Sequence, residues 1–314
     1  MITKNFKWFS LVSVVIIVVG IICGIAFGGL NLGIDFTGGS ITTIEMGGEF
    51  NADDVVKVLE ENGVKNVPVI KAGEGYTKAV IRMQDVGDEA MQAETSVNIL
   101  KGIQEIYPNA TNDGVDRVGG VASAELVRNA VLAVIISCLL MLVYIWIRFE
   151  LFSGIAAVVA LMHDVLIMIS IVCIVRLQIN SAFIAACLTI VGYSINNTIV
   201  IFDRIRDNLK VVGLKTKSRN DIANTSIKET LTRTINTSVT TLIMIVALYV
   251  FGVDSIKEFA LPIIIGLLAG TYSSVFLSAP IWALLSDKFD KKKNLQNSKN
   301  SKSKSSKKVV KKTA

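Results

Sequence analysis

The chain has 314 residues, of which 52% are hydrophobic and only 18% are charged, and its mean hydropathy is +0.56. Soluble domains usually carry about 25% charged residues, so this composition excludes an ordinary soluble protein and predicts a membrane protein. The net charge is +6. One histidine and four cysteines without metal-ligand spacing predict neither a metal site nor thiol chemistry.

Six runs of the sequence are apolar enough to cross about 30 Å of hydrocarbon, which takes roughly 20 residues each. They lie near 8–28, 129–147, 154–175, 182–202, 234–252 and 259–285. Lys4 and Lys7 before the first run are also typical of a signal peptide. That run is too long for a signal-peptide core and has no small-residue cleavage site after it, so we predict a retained membrane anchor.

The distribution of lysine and arginine predicts the orientation of the spans. Residues 203–233 hold eight of them and the tail after 287 holds eleven, whereas the loops at 176–181 and 253–258 hold one each. Both basic segments, and with them both termini, are therefore expected in the cytoplasm. The tail at 288–314 is rich in Lys, Ser and Asn, which predicts a disordered segment. Its charge is expected to serve solubility and membrane orientation. The alternative is contact with anionic membrane lipid or ribosomal RNA, without specific nucleic-acid recognition.

Residues 29–127, between the first two spans, form a polar segment with sixteen acidic and seven basic side chains. An extracytoplasmic domain fits this balance. The sequence periodicity predicts strands at 40–46, near 67–71, at 78–83 and near 113–118, and helices at 52–62 and 88–107. This βαββαβ order predicts a ferredoxin-like α+β domain, with both helices on one face of the sheet. The predicted parts of the chain are thus 1–28, 29–127, 128–287 and 288–314.

Motifs of common enzymes are absent from the sequence, which has no Walker A, no G-x-S-x-G and no H-E-x-x-H. The chain is therefore not expected to be an enzyme or to bind a cofactor. Any work that it performs would draw on a partner or on an ion gradient.

His163 and Asp164 lie near the middle of the third predicted span, with apolar residues on both sides. A charged Asp at this depth costs roughly 2.5 to 3.5 kcal/mol on insertion scales, so such residues usually have a function. We interpret the pair as part of a proton or ion pathway. The alternative is a neutral Asp164 that only forms hydrogen bonds between helices.

The fourth and fifth spans carry polar side chains at helical spacing. In the fourth span these are Thr189, Tyr193, Asn196 and Asn197. In the fifth they are Arg233, Thr237 and Thr240. Polar groups inside hydrocarbon need partners from other helices, so we expect Arg233 to face the polar side of the fourth span. Snorkelling of Arg233 to the membrane surface is the alternative.

Several motifs resemble the SecD/SecF family of bacterial protein-export membrane proteins, and within it the smaller member, SecF. They are LGIDFTGGS at 32–40, RVGGVASAEL at 117–126, RFE at 148–150, HD at 163–164, VGYSINNTIVIFDRIRDN at 191–208 and TLTRTINTSVTTL at 230–242. Family positions within these motifs, besides the polar residues already named, are Asp35, Phe36, Gly38, Gly39, Gly119, Gly120, Arg148, Glu150, Gly192, Tyr193, Asp203, Arg204 and Arg206.

This resemblance implies an RND-like bundle of six membrane helices in a bacterial cytoplasmic membrane, with the ferredoxin-like domain outside. It implies a heterodimer with SecD, the SecYEG channel with SecA and YajC as further partners, and preproteins as the substrate. The proton motive force would drive translocation. The ion pathway implied for this chain includes His163, Asp164, Asn196, Asn197 and Arg233.

One position departs from the family pattern. Where many members read Y-S-L-N-D-T in the fourth span, with the Asp implicated in proton transfer, this chain has Asn197. An amide cannot take up and release a proton near neutral pH. Proton carriage would then rest on an Asp of SecD with Asp164 as helper, which we favour, or the coupling ion is Na⁺, for which Asn and Thr oxygens are adequate ligands.

Two interpretations from other classes stay open. An RND-like exporter of lipids or small molecules, acting without SecD, would need larger external domains and a second six-helix unit. A membrane scaffold without transport activity would tolerate apolar side chains at positions 163, 164, 196, 197 and 233.

Overall fold

The computed structural model describes residues 3–64, 67, 69–83, 89–212 and 217–289. Its helices are α1 (Phe6–Ala26), α2 (Ile34–Thr37), α3 (Ala52–Glu61), α4 (Glu89–Ile106), α5 (Gly120–Arg148), α6 (Leu151–Val175), α7 (Ser181–Val212), α8 (Arg219–Phe251) and α9 (Asp254–Ser273). Its strands are β1 (Gly39–Glu45), β2 (Val69–Ala72), β3 (Lys78–Met83) and β4 (Thr111–Val118).

Within the described residues, six helices are long and apolar enough to cross a membrane, as predicted. The last of these spans runs Ile256–Phe289, because a π-helical turn at Ser274–Ser278 follows α9 and the helix then continues. α7 and α8 extend past the predicted spans, so most of the predicted loop at 203–233 is helical. Residues 213–216 of that loop and 290–314 of the predicted basic tail lie outside the described residues.

The four strands form one antiparallel sheet in the order β2-β3-β1-β4. Buried and half-buried side chains alternate along β3. The sheet packs with α3 and α4 around a core that includes Ile44, Leu59, Ile81, Ile99 and Ile103. The predicted ferredoxin-like fold is thereby confirmed. The strand expected near 67–71 is β2, and position 88, where the second helix was expected to begin, lies outside the described residues.

The centre of the membrane bundle is built from α6, α7 and α9, which contribute most of its buried side chains. α1 packs closely on α6 at Gly20, where an added Cβ would lie 2.7 Å from the Cα of Ser170. The outer faces of α1, α5 and α8 keep many large apolar side chains exposed. Such faces are suited to contact lipid or another membrane subunit.

Candidate functional site

Asp164 of α6 is fully buried in the middle of the bundle, at 0% exposure. Its Oδ2 accepts hydrogen bonds from the Ser194 hydroxyl of α7 and, at 2.9 Å, from the Ser273 hydroxyl of α9. Three membrane helices therefore meet at one carboxyl group. The composition of the spans did not predict either serine, because serines are frequent in membrane helices and only the packing of α7 and α9 selects these two.

The second oxygen of Asp164 faces the neighbouring imidazole. His163 Nδ1 lies 2.9 Å from Asp164 Oδ1, and His163 Nε2 lies 2.7 Å from the Ser13 hydroxyl of α1. Tyr272 stacks on the His163 ring with centroids 6.1 Å apart, and its hydroxyl donates to the Phe9 carbonyl at 2.8 Å. The imidazole thus connects the buried carboxyl group to α1.

The chain of Ser13, His163 and Asp164 has the connectivity of a hydrolytic triad, but its setting differs. Ser13 is only 4% exposed, and its hydroxyl also points to the Phe9 carbonyl of its own helix at 3.4 Å. A nucleophile must reach its substrate, and this hydroxyl is covered. The buried position of this hydroxyl therefore does not favour acyl transfer.

A run of hydroxyl groups continues from Asp164 along the last span, just past the end of α9. Ser274 Oγ lies 2.9 Å from Thr198 Oγ1 of α7, and it donates to the Gly270 carbonyl at 2.7 Å. Ser278 follows one turn later and donates to the Ser274 carbonyl at 2.6 Å. These serines belong to the π-helical turn, a local irregularity that is frequent at functional sites.

The two asparagines of α7 have different surroundings. Asn197 is 2% exposed and its Nδ2 donates to the Ser238 hydroxyl of α8 at 3.4 Å. Thr271 of α9 donates to the same hydroxyl at 2.8 Å. Asn196, by contrast, is exposed on the outer surface of the bundle. Asn197 therefore joins three helices in a second polar cluster, beside the one at Asp164.

Arg233 lies on the exposed face of α8. Among the residues that the structure describes, no side chain forms a hydrogen bond or an ion pair with its guanidinium. Asn236 and Thr240 are exposed on the same helix. A contact does join α7 to α8 nearby, because the Tyr193 hydroxyl donates to the Thr237 carbonyl at 2.8 Å. In the described part of the chain, the Arg233 guanidinium therefore has no polar contact with either buried cluster.

The segment around Gly38 and Gly39 connects the sheet domain to the helical bundle. Both glycines have positive φ, at 73° and 128°, a conformation that favours glycine. Just before them, Asp35 Oδ2 accepts the backbone N–H of Ser181 at 2.7 Å, at the first turn of α7. A carboxylate at this position accepts a hydrogen bond from a backbone N–H that has no partner within the helix. Its negative charge also interacts favourably with the positive end of the helix dipole. Phe36 packs against the apolar cluster beneath.

Residues 98–288 match the family model described as protein export membrane protein SecD/SecF, C-terminal, and residues 24–47 match that of the SecD/SecF GG motif. The chain belongs to the SecD/SecF family. It is 38% identical over 260 residues to protein translocase subunit SecF of Cereibacter sphaeroides, covering 81% of this chain and 79% of that one. It is 37% identical over 295 residues to protein translocase subunit SecDF of Bacillus subtilis, covering 94% of this chain and 39% of that one.

Solved structures of SecDF share the fold. A crystal structure of SecDF from Thermus thermophilus, described as a translocon-associated membrane protein, has a TM-score of 0.80 and 31% identity over 91% of this chain and 38% of that chain. SecDF in its super-membrane-facing form has a TM-score of 0.66 and 30% identity, over 94% of this chain and 40% of the other. The chain therefore spans about two fifths of these SecDF proteins, and the predicted RND-like fold is confirmed.

The remaining family positions lie in two further places. Gly119 precedes α5, and Gly120 begins it beside Gly38, 3.4 Å from where a Cβ on Gly38 would lie. At the end of the bundle away from the sheet, Asp203 forms ion pairs with Arg148 at 2.9 Å and with Arg206 at 3.2 Å.

In the same region Arg204 pairs with Glu229 of α8 at 2.6 Å. Glu150 stands exposed at the start of α6, and Gly192 has open space where a side chain would begin. These arginines and carboxylates hold α5, α7 and α8 together outside the apolar part of the bundle. They do not reach the Asp164 cluster, so the motif residues fall into a structural group and a group at the buried carboxyl.

Proposed function

We propose that this chain is a SecF-type subunit that assists Sec-dependent translocation of preproteins and draws on an ion gradient, with no catalytic step of its own. The observation that carries this proposal is the buried Asp164, held by hydroxyl groups from two helices and by an imidazole that leads to a third. A titratable group that joins several helices can change their packing when its proton comes or goes.

In the charged state, Asp164 has four acceptor sites, and the hydroxyls of Ser194 and Ser273 supply two donors. Protonation gives the group a hydrogen to donate and removes the charge that made these hydrogen bonds strong. α7 and α9 are then held less firmly to α6. His163 lies where it can accept or return the proton, with Ser13 as the next hydroxyl.

A SecD-type protein is the partner that best fits the outer face of α7 and α8. Asn196, Arg233, Asn236 and Thr240 are exposed there, within spans that hydrocarbon would otherwise surround. Polar groups at that depth favour a protein neighbour with its own polar side chains. The Bacillus subtilis relative named SecDF is about two and a half times as long as this chain, which supports a partner that supplies the remaining length.

The exposed Arg233 would face the carboxyl group of that partner. Because Asn197 is buried against Ser238 and cannot titrate, the proton carrier on this side of the complex would be Asp164. The coupling ion is thus proposed to be H⁺. A preprotein translocation assay in vesicles, with the proton gradient or the sodium gradient collapsed separately, checks this, and loss of stimulation on sodium collapse alone would establish Na⁺ instead.

The proposed place is the bacterial cytoplasmic membrane, with the sheet domain outside and both termini in the cytoplasm. The eight and eleven basic residues of 203–233 and of the tail support this orientation. SecYEG, SecA and YajC are the further partners proposed from the family. Copurification tests them: a tagged chain should bring down a SecD-type protein and the channel, whereas a chain that exports lipid in vesicles without either would support the RND-like exporter.

The central experiment replaces Asp164 by Asn, which keeps the shape and removes the charge. Gradient-driven stimulation of preprotein translocation should fall about tenfold, a typical size for coupling between sites, while assembly with the partner persists. Asp53→Asn, at an exposed position of α3, is the control and should leave stimulation unchanged. Full stimulation in Asp164→Asn would reduce the cluster to a packing role.

A further inference from the structure

The two helices that hold Asp164 also hold the external domain. In α7, Ser194 donates to Asp164 and the backbone N–H of Ser181 donates to Asp35, next to the glycine pair that leads into β1. In α9, Ser273 donates to Asp164, and Glu258, in its first turns, contacts Arg82 of β3. Each helix thus has one contact at the buried carboxyl and one at the domain.

Of the two contacts between these helices and the domain, the one at Glu258 involves more of the structure, because its carboxylate connects α9, β3 and the residue that caps α7. Oε2 accepts a hydrogen bond from Asn180 Nδ2 at 2.7 Å, and Oε1 lies 3.6 Å from an Arg82 guanidinium nitrogen. Asn180 itself caps α7, since its Oδ1 accepts the N–H of Phe183 at 3.0 Å. A displacement of either helix at its outer end therefore moves the acceptor that faces Arg82.

The positive charge of Arg82 is stabilised by the Glu258 carboxylate. Its side chain is 22% exposed, and its Nε is buried without a hydrogen-bond partner among the described residues. Burial lowers the pKa of the Arg82 guanidinium, and the charge of Glu258 opposes that effect. β3 is an inner strand, paired with β1 on one side and β2 on the other. A pull on Arg82 is therefore transmitted to the whole sheet.

The helices between the two ends are continuous. Ser181 and Ser194 are about 20 Å apart along α7, and Glu258 and Ser273 about 22 Å along α9, at 1.5 Å per residue. α9 contains Pro262, which has no N–H for the carbonyl four residues before it, that of Glu258. Bending of α9 is thus easiest at the turn that carries the contact with the domain.

We propose that Glu258 is the positioning residue that couples the hydrogen bonding at Asp164 to the placement of the external domain, with Arg82 as its partner on the sheet. This inference rests on the proposed function for its biological use. The mechanical link itself concerns only this chain. When α7 and α9 shift at Asp164, their outer ends shift with them, and the Glu258 carboxylate carries that motion to β3.

Charge reversal tests the pair in translocation. Arg82→Glu should lower gradient-driven stimulation about fivefold, because two carboxylates then repel across the contact. Combining Arg82→Glu with Glu258→Arg should restore it. Lys101→Glu, at an exposed position of α4, is the charge-reversal control, and it should leave stimulation within about twofold of wild type. Wild-type stimulation in Arg82→Glu, or no recovery in the double variant, would overturn the proposal.

A distance measurement tests the link without translocation. Spin labels go on Lys57→Cys in α3 and Phe251→Cys at the end of α8, both exposed, with the four native cysteines replaced. The full chain is reconstituted with its SecD-type partner. Asp164→Asn should shift the distance distribution, and the same change in a Glu258→Gln chain should shift it far less. The Glu258→Gln change keeps an acceptor for Asn180 and removes the charge.

Ser273→Ala serves as the second variant at the buried end, in case Asp164→Asn assembles poorly. An equal shift with and without the Glu258 charge, or no shift with either variant, would refute the coupling. The two proposals remain separable. If the distances change as expected but Asp164→Asn does not affect translocation, the mechanical link is supported and the proposed export function is refuted. If translocation requires Asp164 but the distance shift persists in the Glu258→Gln chain, only the mechanical link is refuted.

Discussion

Replacing Ser273 by alanine tests whether Asp164 carries a charge in the folded bundle. The change removes one of the two hydroxyl donors to Asp164 Oδ2, a hydrogen bond of 2.9 Å between fully buried groups. A hydrogen bond to a charged group contributes about 1.5 to 3 kcal/mol. A neutral hydrogen bond between membrane helices averages about 0.6 kcal/mol. A charged and a neutral Asp164 therefore predict different losses in the free energy of unfolding when Ser273 is replaced by alanine.

The measurement is a double-mutant cycle. The free energy of unfolding is measured in mixed micelles of a mild detergent and SDS for the wild type, Ser273→Ala, Asp164→Asn and the double variant. We expect an interaction energy of about 1.5 kcal/mol or more between the two positions, because the carboxylate loses a donor that the amide does not need as strongly.

Ser278→Ala is the matched control. Ser278 is as deeply buried and is one turn further along the same span, but its hydroxyl bonds only the Ser274 carbonyl of its own helix among the described residues. Its interaction energy with Asp164→Asn should be near zero. An interaction energy of about 0.6 kcal/mol or less for Ser273 would mean a protonated Asp164 at rest and would refute the charged cluster as the starting state.

Two further predictions concern packing and pH. Gly20→Ala should destabilise the bundle by about 1 to 3 kcal/mol, because its Cβ would meet the backbone of Ser170, whereas Gly48→Ala, with open space around it, should not; unfolding in the same micelles checks both, and equal stability would refute the tight helix contact. The hydrogen bond that Lys78 donates to Asp113, together with the charge of that carboxylate, raises the pKa of Lys78 above the ordinary 10.5. The stabilisation it gives is present below pH 10.5 and is lost as the pH rises through the folded pKa, so the wild type should lose more stability there than Lys78→Met.

The sequence was sufficient for the coarse fold because the patterns involved are long. The six predicted apolar runs fall in six helices that are long and apolar enough to cross a membrane, and the period-two and helical patterns placed the sheet and its helices to within a few residues. α7 and α8 proved longer than their apolar runs, since a helix can continue into water when ion pairs such as Arg204 with Glu229 support it.

The buried site could be predicted only in part. A charged Asp at the centre of the bilayer costs enough free energy that the position of Asp164 within an apolar run was sufficient to mark it as a candidate functional residue. The serines that connect to this site, Ser13, Ser194 and Ser273, come from helices far apart in sequence. The periodicity of one sequence does not predict which faces of these helices pack against each other. Adjacent residues differ by about 100° around a helix, so Asn196 and Asn197 could not be assigned to the same or to different surroundings before the packing was known.

The π-helical turn at Ser274–Ser278 determines which side chains of the last span can face inward together. Ser273 precedes it and contacts Asp164, while Trp282, nine residues later, is buried in the bundle core. In a regular α-helix nine residues turn the chain by about 900°, which would put these two side chains on opposite sides. One extra residue in the turn reduces the difference to about 80°. Deleting a single residue within 274–278 should therefore rotate the whole segment beyond it, expose the tryptophan to lipid, and leave the serine at the carboxyl where it is.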